Sequence, residues 1–100
     1  MSFSLCFTEE ADHVLKKLES RPAQAGLLKQ IRKSLGYLQT NPRHPSLKTH
    51  PYSSIENPFD PSQRVFEAYT QNNTPGAYRI FWCYGPKKGE MTIIAITPHP

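Results

Sequence analysis

The segment Ala77-Tyr78-Arg79-Ile80-Phe81-Trp82-Cys83-Tyr84 decides the architecture. Side chains alternate across an extended chain, so Tyr78, Ile80, Trp82 and Tyr84 share one side and Phe81 and Cys83 the other. A strand that is apolar on both sides belongs in the middle of a sheet whose two faces are covered. Arg79 shares the side of Phe81 and Cys83. A guanidinium there is costly unless a carboxylate or an incoming anion meets it. Residues 64–71 read as the preceding strand and Met91–Thr97 as the following one. Turn formers fill Asn72–Gly76 and Gly85–Gly89 between them, which makes a three-stranded meander.

Upstream, Phe3, Leu5 and Phe7 alternate with Ser2, Ser4 and Cys6, the pattern of a half-buried strand. Thr8 offers an N-cap hydroxyl, and Glu9, Glu10 and Asp12 put negative charge near the free N–H groups of a first helical turn. Ala11, Val14, Leu15 and Leu18 then form one apolar stripe, which Ser20-Arg21-Pro22 terminates. A second helix is expected from Ala23 to Gln39, with Leu28, Ile31, Leu35 and Leu38 on one face and Lys29, Arg32 and Lys33 largely off it. Gly36 costs roughly 1 kcal/mol relative to alanine, and it leaves room for close approach to the first helix. The two helices make an αα-hairpin. Residues 41–63 hold five of the ten prolines, anchored by Leu47, Tyr52, Ile55 and Phe59. They read as an ordered loop, and loops of that length inside a compact domain are usually functional. The expected fold is a single α+β domain over residues 1–100, in the order β-α-α-β-β-β. The αα-hairpin covers one face of a roughly four-stranded, mostly antiparallel sheet.

The 100 residues suffice for one two-layer core and exclude a second domain, a dinucleotide-binding fold or a large substrate cavity. Twelve basic residues face eight acidic ones, but the excess is local. Residues 1–50 carry eight basic against four acidic residues, and residues 51–100 carry four of each. No acid lies between Glu19 and Glu56, a stretch holding Arg21, Lys29, Arg32, Lys33, Arg43 and Lys48 with His44 and His50. Such a stretch suits phosphate or an acidic partner, and equally a solvated basic helix face. The first residues lack a basic n-region and a long apolar run, so neither a signal peptide nor a membrane span is expected. Cys6 and Cys83 read as small buried hydrophobes of a reduced, cytoplasmic protein. His44, His50 and Cys83 show no metal-ligand spacing, and neither a metal nor another cofactor is expected.

Three segments carry a family resemblance. They are Asn41-Pro42-Arg43-His44-Pro45-Ser46-Leu47-Lys48, the pair Val65-Phe66-Glu67-Ala68-Tyr69 and Ala77-Tyr78-Arg79-Ile80-Phe81, and the closing Ile96-Thr97-Pro98-His99. In this order they resemble the RelE/ParE superfamily of bacterial toxins. RelE-type members, the resemblance implies, occupy the ribosome and cut messenger RNA by attack of the ribose 2′-hydroxyl on the adjacent phosphate, without a metal. ParE-type members share the fold and poison DNA gyrase, and other relatives only engage a partner. Both toxin types are held inactive by a small antitoxin.

Attack by the 2′-hydroxyl needs a base, a cation on the phosphorane oxygens and an acid for the leaving oxygen. The resemblance assigns Arg79 as phosphate clamp, Lys48 as a cation at the site and His99 as general acid or base. Arg43, His44 and His50 crowd the same loop as RNA contacts, one of them a further proton carrier. Lys29, Arg32 and Lys33 face ribosomal RNA or an acidic antitoxin helix. Each has a plainer role open to it: an ion pair with Glu67 for Arg79, a solvated loop lysine for Lys48, a terminal histidine for His99. Glu67 reads as structural, and Tyr69, Tyr78, Trp82 and Tyr84 mostly as core. Pro45 and Ser46 stand where some RelE-type members have a glutamate base, and the C-terminal helix that some members add is not expected. If the basic segment meets ribosomal RNA, ribosome binding weakens steeply with added salt, which co-sedimentation at rising ionic strength measures.

Overall fold

The computed structural model describes residues 2–70 and 77–98. It has seven main elements: β1 (Ser4–Phe7), α1 (Glu9–Glu19), α2 (Ala25–Thr40), β2 (His50–Tyr52), β3 (Val65–Tyr69), β4 (Tyr78–Tyr84) and β5 (Glu90–Pro98). Short 3-10 turns at Pro22–Gln24 and Pro45–Leu47 begin where a proline fixes the backbone. The expected turn at Asn72–Gly76 lies outside the described residues, as does His99.

The sheet order is β1-β5-β4-β3-β2. Strand β4 is central, as its two apolar sides demand. It pairs antiparallel with β3 and β5, whereas β1 runs parallel to β5. The sheet has five strands rather than four, because His50–Tyr52 pairs antiparallel with β3 inside the stretch expected to be loop. Its three residues are too few for a period, and Pro51 at its centre is a strand breaker. Proline is tolerated there because β2 is an edge strand, which needs no N–H on its outer side.

Helices α1 and α2 cover one face of the sheet. Ala11, Leu18, Leu28, Ile31, Leu35 and Leu38 pack there with Leu47, Ile80, Trp82, Ile93 and Ile96. The opposite face carries a smaller core of Val65, Phe81, Cys83 and Ala95, closed by Tyr52, Ile55 and Ile94. The proline-rich loop thus roofs the second face. A register shift opposite Phe81/Trp82 leaves Ile94 as an extra residue in β5. The bulge puts neighbouring Ile94 and Ala95 in the same core, and the Ile94 carbonyl accepts a 2.6 Å hydrogen bond from the Thr8 hydroxyl. Thr8 also caps α1, its hydroxyl oxygen accepting from the Ala11 N–H.

Two expectations change. Helix α2 starts at Ala25, because Pro22–Gln24 forms its own turn. Gly36 faces solvent, and a Cβ built there meets nothing within 4 Å, so it mediates no approach to α1. Cys6 and Cys83 are free; β5 separates their strands, and burial raises the Cys83 thiol pKa. Among the described residues no helix is long and apolar enough to cross a membrane. Gly36→Ala is expected to stabilise the protein by roughly 0.5–1 kcal/mol, read as a higher urea midpoint at unchanged slope.

Candidate functional site

Glu67 sits on β3 directly opposite Phe81 of β4 and His50 of β2. Alternation turns its side chain to the face away from the helices, with Val65 and Tyr69. Its residue surface is only 3% exposed. A lone carboxylate in that position would be strongly disfavoured, and here it is met from three sides. Arg79 Nη1 donates to Oε2 at 2.7 Å, His50 Nε2 lies 2.6 Å from Oε1, and the Tyr69 hydroxyl donates to Oε1 at 3.4 Å. The guanidinium also lies 5.0 Å from the Phe81 ring centroid. The arginine that was costly in mid-strand has therefore found its carboxylate.

The other His50 nitrogen, Nδ1, lies 3.0 Å from the Lys48 carbonyl oxygen. Each ring nitrogen thus faces an oxygen atom. Desolvation, followed by the charge and hydrogen bond of Glu67, raises the Tyr69 pKa above its ordinary value. The phenol stays protonated at neutral pH and acts as a donor. The His50 side chain is 44% exposed and that of Arg79 18%, so the cluster is anchored on the buried carboxylate and open at its cationic rim. Arg79 Nε and Thr97 Oγ1, from residues in register across β4 and β5, are buried without a hydrogen-bond partner among the described residues.

The other basic residues lie elsewhere. Phe66, Trp82 and Tyr84 belong to the helix-side face. With Arg43, His44 and Lys48 they line a groove of about 460 Å³ beyond the end of α2. Lys48 sits in the left-handed region (φ 48°), ending the turn that His44 begins by accepting the Ser46 N–H on Nδ1. The His44 ring stacks on Tyr37 at 3.9 Å. Lys29 and Lys33 are exposed on α2, whereas Arg32 bonds Glu19 of α1 at 3.0 Å. The structure therefore joins Arg79 to His50 but not to Lys48, Arg43 or His44; His50, at the sheet edge, also lines the groove with those three. A larger hollow, about 750 Å³, lies under residues 51–65 and contains none of the cluster residues.

The ion pair of Glu67 with Arg79 is the one the sequence offered as the plainer role for that arginine, whereas Tyr69, expected mostly as core, is the member that sequence reasoning missed. The signal for Tyr69 was its shared parity with Glu67, but without β2 nothing brought His50 to that side. Tyr84, expected as core, is 49% exposed at the groove. No three histidine, cysteine or acidic side chains come together as a metal-ligand group among the described residues.

No family model and no curated protein sequence matches the chain. Among solved structures, a chain of the archaeal RelE–RelB complex from Pyrococcus horikoshii OT3 is similar over 98% of this chain and 96% of that one. The TM-score is 0.63 and 15% of the residues are identical. The protein has the RelE-like α+β fold, and at that identity the likeness concerns the fold.

Glu67→Leu is expected to destabilise the protein by about 3–5 kcal/mol, because it strands a largely buried guanidinium. Adding Arg79→Met should restore most of the loss, which a double-mutant cycle in urea measures.

Proposed function

We propose that this chain is a RelE-type toxin of a toxin–antitoxin pair, a ribosome-dependent endonuclease that cuts messenger RNA without a metal. The carrying observation is the set of His50, Tyr69 and Arg79 gathered on the Glu67 carboxylate, on the sheet face away from the helices. The ribose 2′-hydroxyl attacks the adjacent phosphorus, and the bond to the 5′-oxygen breaks. A 2′,3′-cyclic phosphate and a 5′-hydroxyl result. Arg79 stabilises the charge that builds on the phosphorane oxygens, the task its planar fork suits. His50, once the leaving 5′-oxygen displaces one of its two present ring-nitrogen contacts, gives that oxygen a proton, and His99 takes the proton of the 2′-hydroxyl. Glu67 positions Arg79 and His50 without touching substrate. Lys29, Lys33 and Lys48, none of which forms an ion pair among the described residues, supply long-range attraction to ribosomal RNA. The protein works in the cytoplasm and is silenced by a small antitoxin; the RelE–RelB complex that it resembles in fold supports such a partner.

One observation favours a second reading. Glu67 already neutralises Arg79, which a purely structural ion pair would also do. The protein would then be a non-nuclease member of the same fold, a ParE-like gyrase inhibitor or an inactive partner-binding protein.

Primer extension on messenger RNA in a translating extract separates these. Wild-type protein should give discrete cuts. Arg79→Ala should lower the cleavage rate by about 10²–10³-fold, and His50→Ala and His99→Ala by about 10²-fold each. Cleavage unchanged by all three substitutions would show the site to be wrong. Inhibition of DNA gyrase with no cleavage would select the second reading.

A further inference from the structure

Strand β1 ends the sheet, and no further strand pairs with it among the described residues. Its inner side is fixed by β5. The Ser4 N–H donates to the Gly89 carbonyl at 2.9 Å, and the Thr8 N–H donates to the Ile93 carbonyl at 3.1 Å. Backbone groups alternate in direction along a strand, so Cys6 also turns inward, while Leu5 and Phe7 present their N–H and C=O groups outward. The Gln39 carbonyl takes the Phe3 N–H at 2.8 Å, which bounds the open stretch at its start. Nothing within Ser4–Phe7 guards this edge: it has no charge, no proline and no register shift. Phe7 is 38% exposed beside it. The other edge strand, β2, is only three residues long and carries Pro51 at its centre. Charges of opposite sign flank the two ends of β1. Glu9 and Glu10 follow it at the start of α1, and Lys87 and Lys88 lie in the turn that brings Gly89 beside Ser4. All four are exposed, and none forms an ion pair among the described residues.

We infer that β1 is the docking edge for a second copy of this chain, paired antiparallel about a twofold axis at Cys6. The outward backbone groups set the register. Leu5 and the partner's Phe7 exchange both N–H···O bonds, and the exposed Phe7 ring comes to lie beside the partner's Leu5. Cys6 then stands opposite its own copy in a pair without hydrogen bonds. Charge selects the direction. Antiparallel pairing sets the glutamates of each copy beside the lysines of the other, whereas parallel pairing would set lysine against lysine. Such a contact uses the same patch on both copies and closes on itself. The continuous sheet that results ends on the proline-bearing β2 at either side. An edge this short buries less than a standard interface, so association is weak and depends on concentration. The inference stands apart from the chemistry proposed at Glu67, since β5 and β4 lie between β1 and the strand that carries it.

Sedimentation velocity of the full chain, from micromolar to near-millimolar concentration, should show a monomer–dimer equilibrium. Phe7→Pro removes an outward N–H and no hydrogen bond to β5. It should keep the wild-type circular dichroism and weaken the dimer by about tenfold or more. Lys87→Glu with Lys88→Glu should weaken self-association, as should Glu9→Lys with Glu10→Lys. An equimolar mixture of these two double variants should restore it, because every facing pair is then opposite in sign. Oxidation by diamide should couple Cys6 to its own copy, since facing residues of this kind stand about 4.5 Å apart at Cα, within the disulfide range. Ser4→Cys in a Cys6→Ser background should couple far more slowly, because its two copies sit at opposite ends of the strand pair. A monomer at every concentration would overturn the proposal. So would a dimer that Phe7→Pro and both charge reversals leave unchanged, and equal coupling through residues 4 and 6 would refute the register. The readouts are mass and crosslinking, so failure of RNA cleavage leaves the test intact.

Discussion

The ion pair between Glu67 and Arg79 answers a problem set by the double burial of β4. Helices α1 and α2 cover one face of that strand, and the proline-rich loop roofs part of the other. Any charge on β4 must therefore be neutralised from within the sheet. The antiparallel register brings β3 alongside, and Glu67 reaches Arg79 from the rung where Phe81 lies opposite it. Once Glu67 is buried it needs more than one partner, because a carboxylate has several acceptor positions. Edge strand β2 supplies His50, and Tyr69 supplies its hydroxyl. The charged cluster is thus a consequence of packing before it is a candidate for chemistry. Its exposed rim is what makes chemistry available to it.

Strand β2 links the two faces of the molecule. The Pro45–Leu47 turn drops Leu47 into the helix-side core and leaves Lys48 in a left-handed conformation at its end. Two residues later the His50 side chain points across the sheet edge to Glu67. The Lys48 carbonyl meanwhile orients the same imidazole through Nδ1. A short stretch of loop therefore sets Lys48 on the rim of the groove and brings His50, which also lines that groove, onto the Glu67 carboxylate.

The basic excess resolves into unlike parts. Arg32 is tied to Glu19, and His50 is tied to Glu67, so each borrows an acid from beyond the acid-free stretch. Lys33 lies 5.9 Å from the Tyr37 ring centroid, beside the stacked His44. Lys29, Arg43 and Lys48 are exposed. These residues are close in sequence, yet they do not form one site. They follow the flank of α2 and the groove at its end, on the opposite side of the sheet from Arg79.

Hydrophobic periodicity by itself determined both helices, the N-terminal strand, the meander and the central place of β4, because burial imposes period 3.6 or period 2 on local sequence. It also determined that Arg79 needs a counter-charge and that Thr8 caps α1. Strand β2 was not legible, since three residues around a proline carry no period. With it missing, His50 stayed grouped with Arg43, His44 and Lys48 as one basic loop. Only the tertiary structure decided that His50 joins Glu67, Tyr69 and Arg79 while also lining, with Lys48, the groove at the end of α2. Strand pairing decided it, because which side of a sheet a loop residue joins depends on register with a strand distant in sequence.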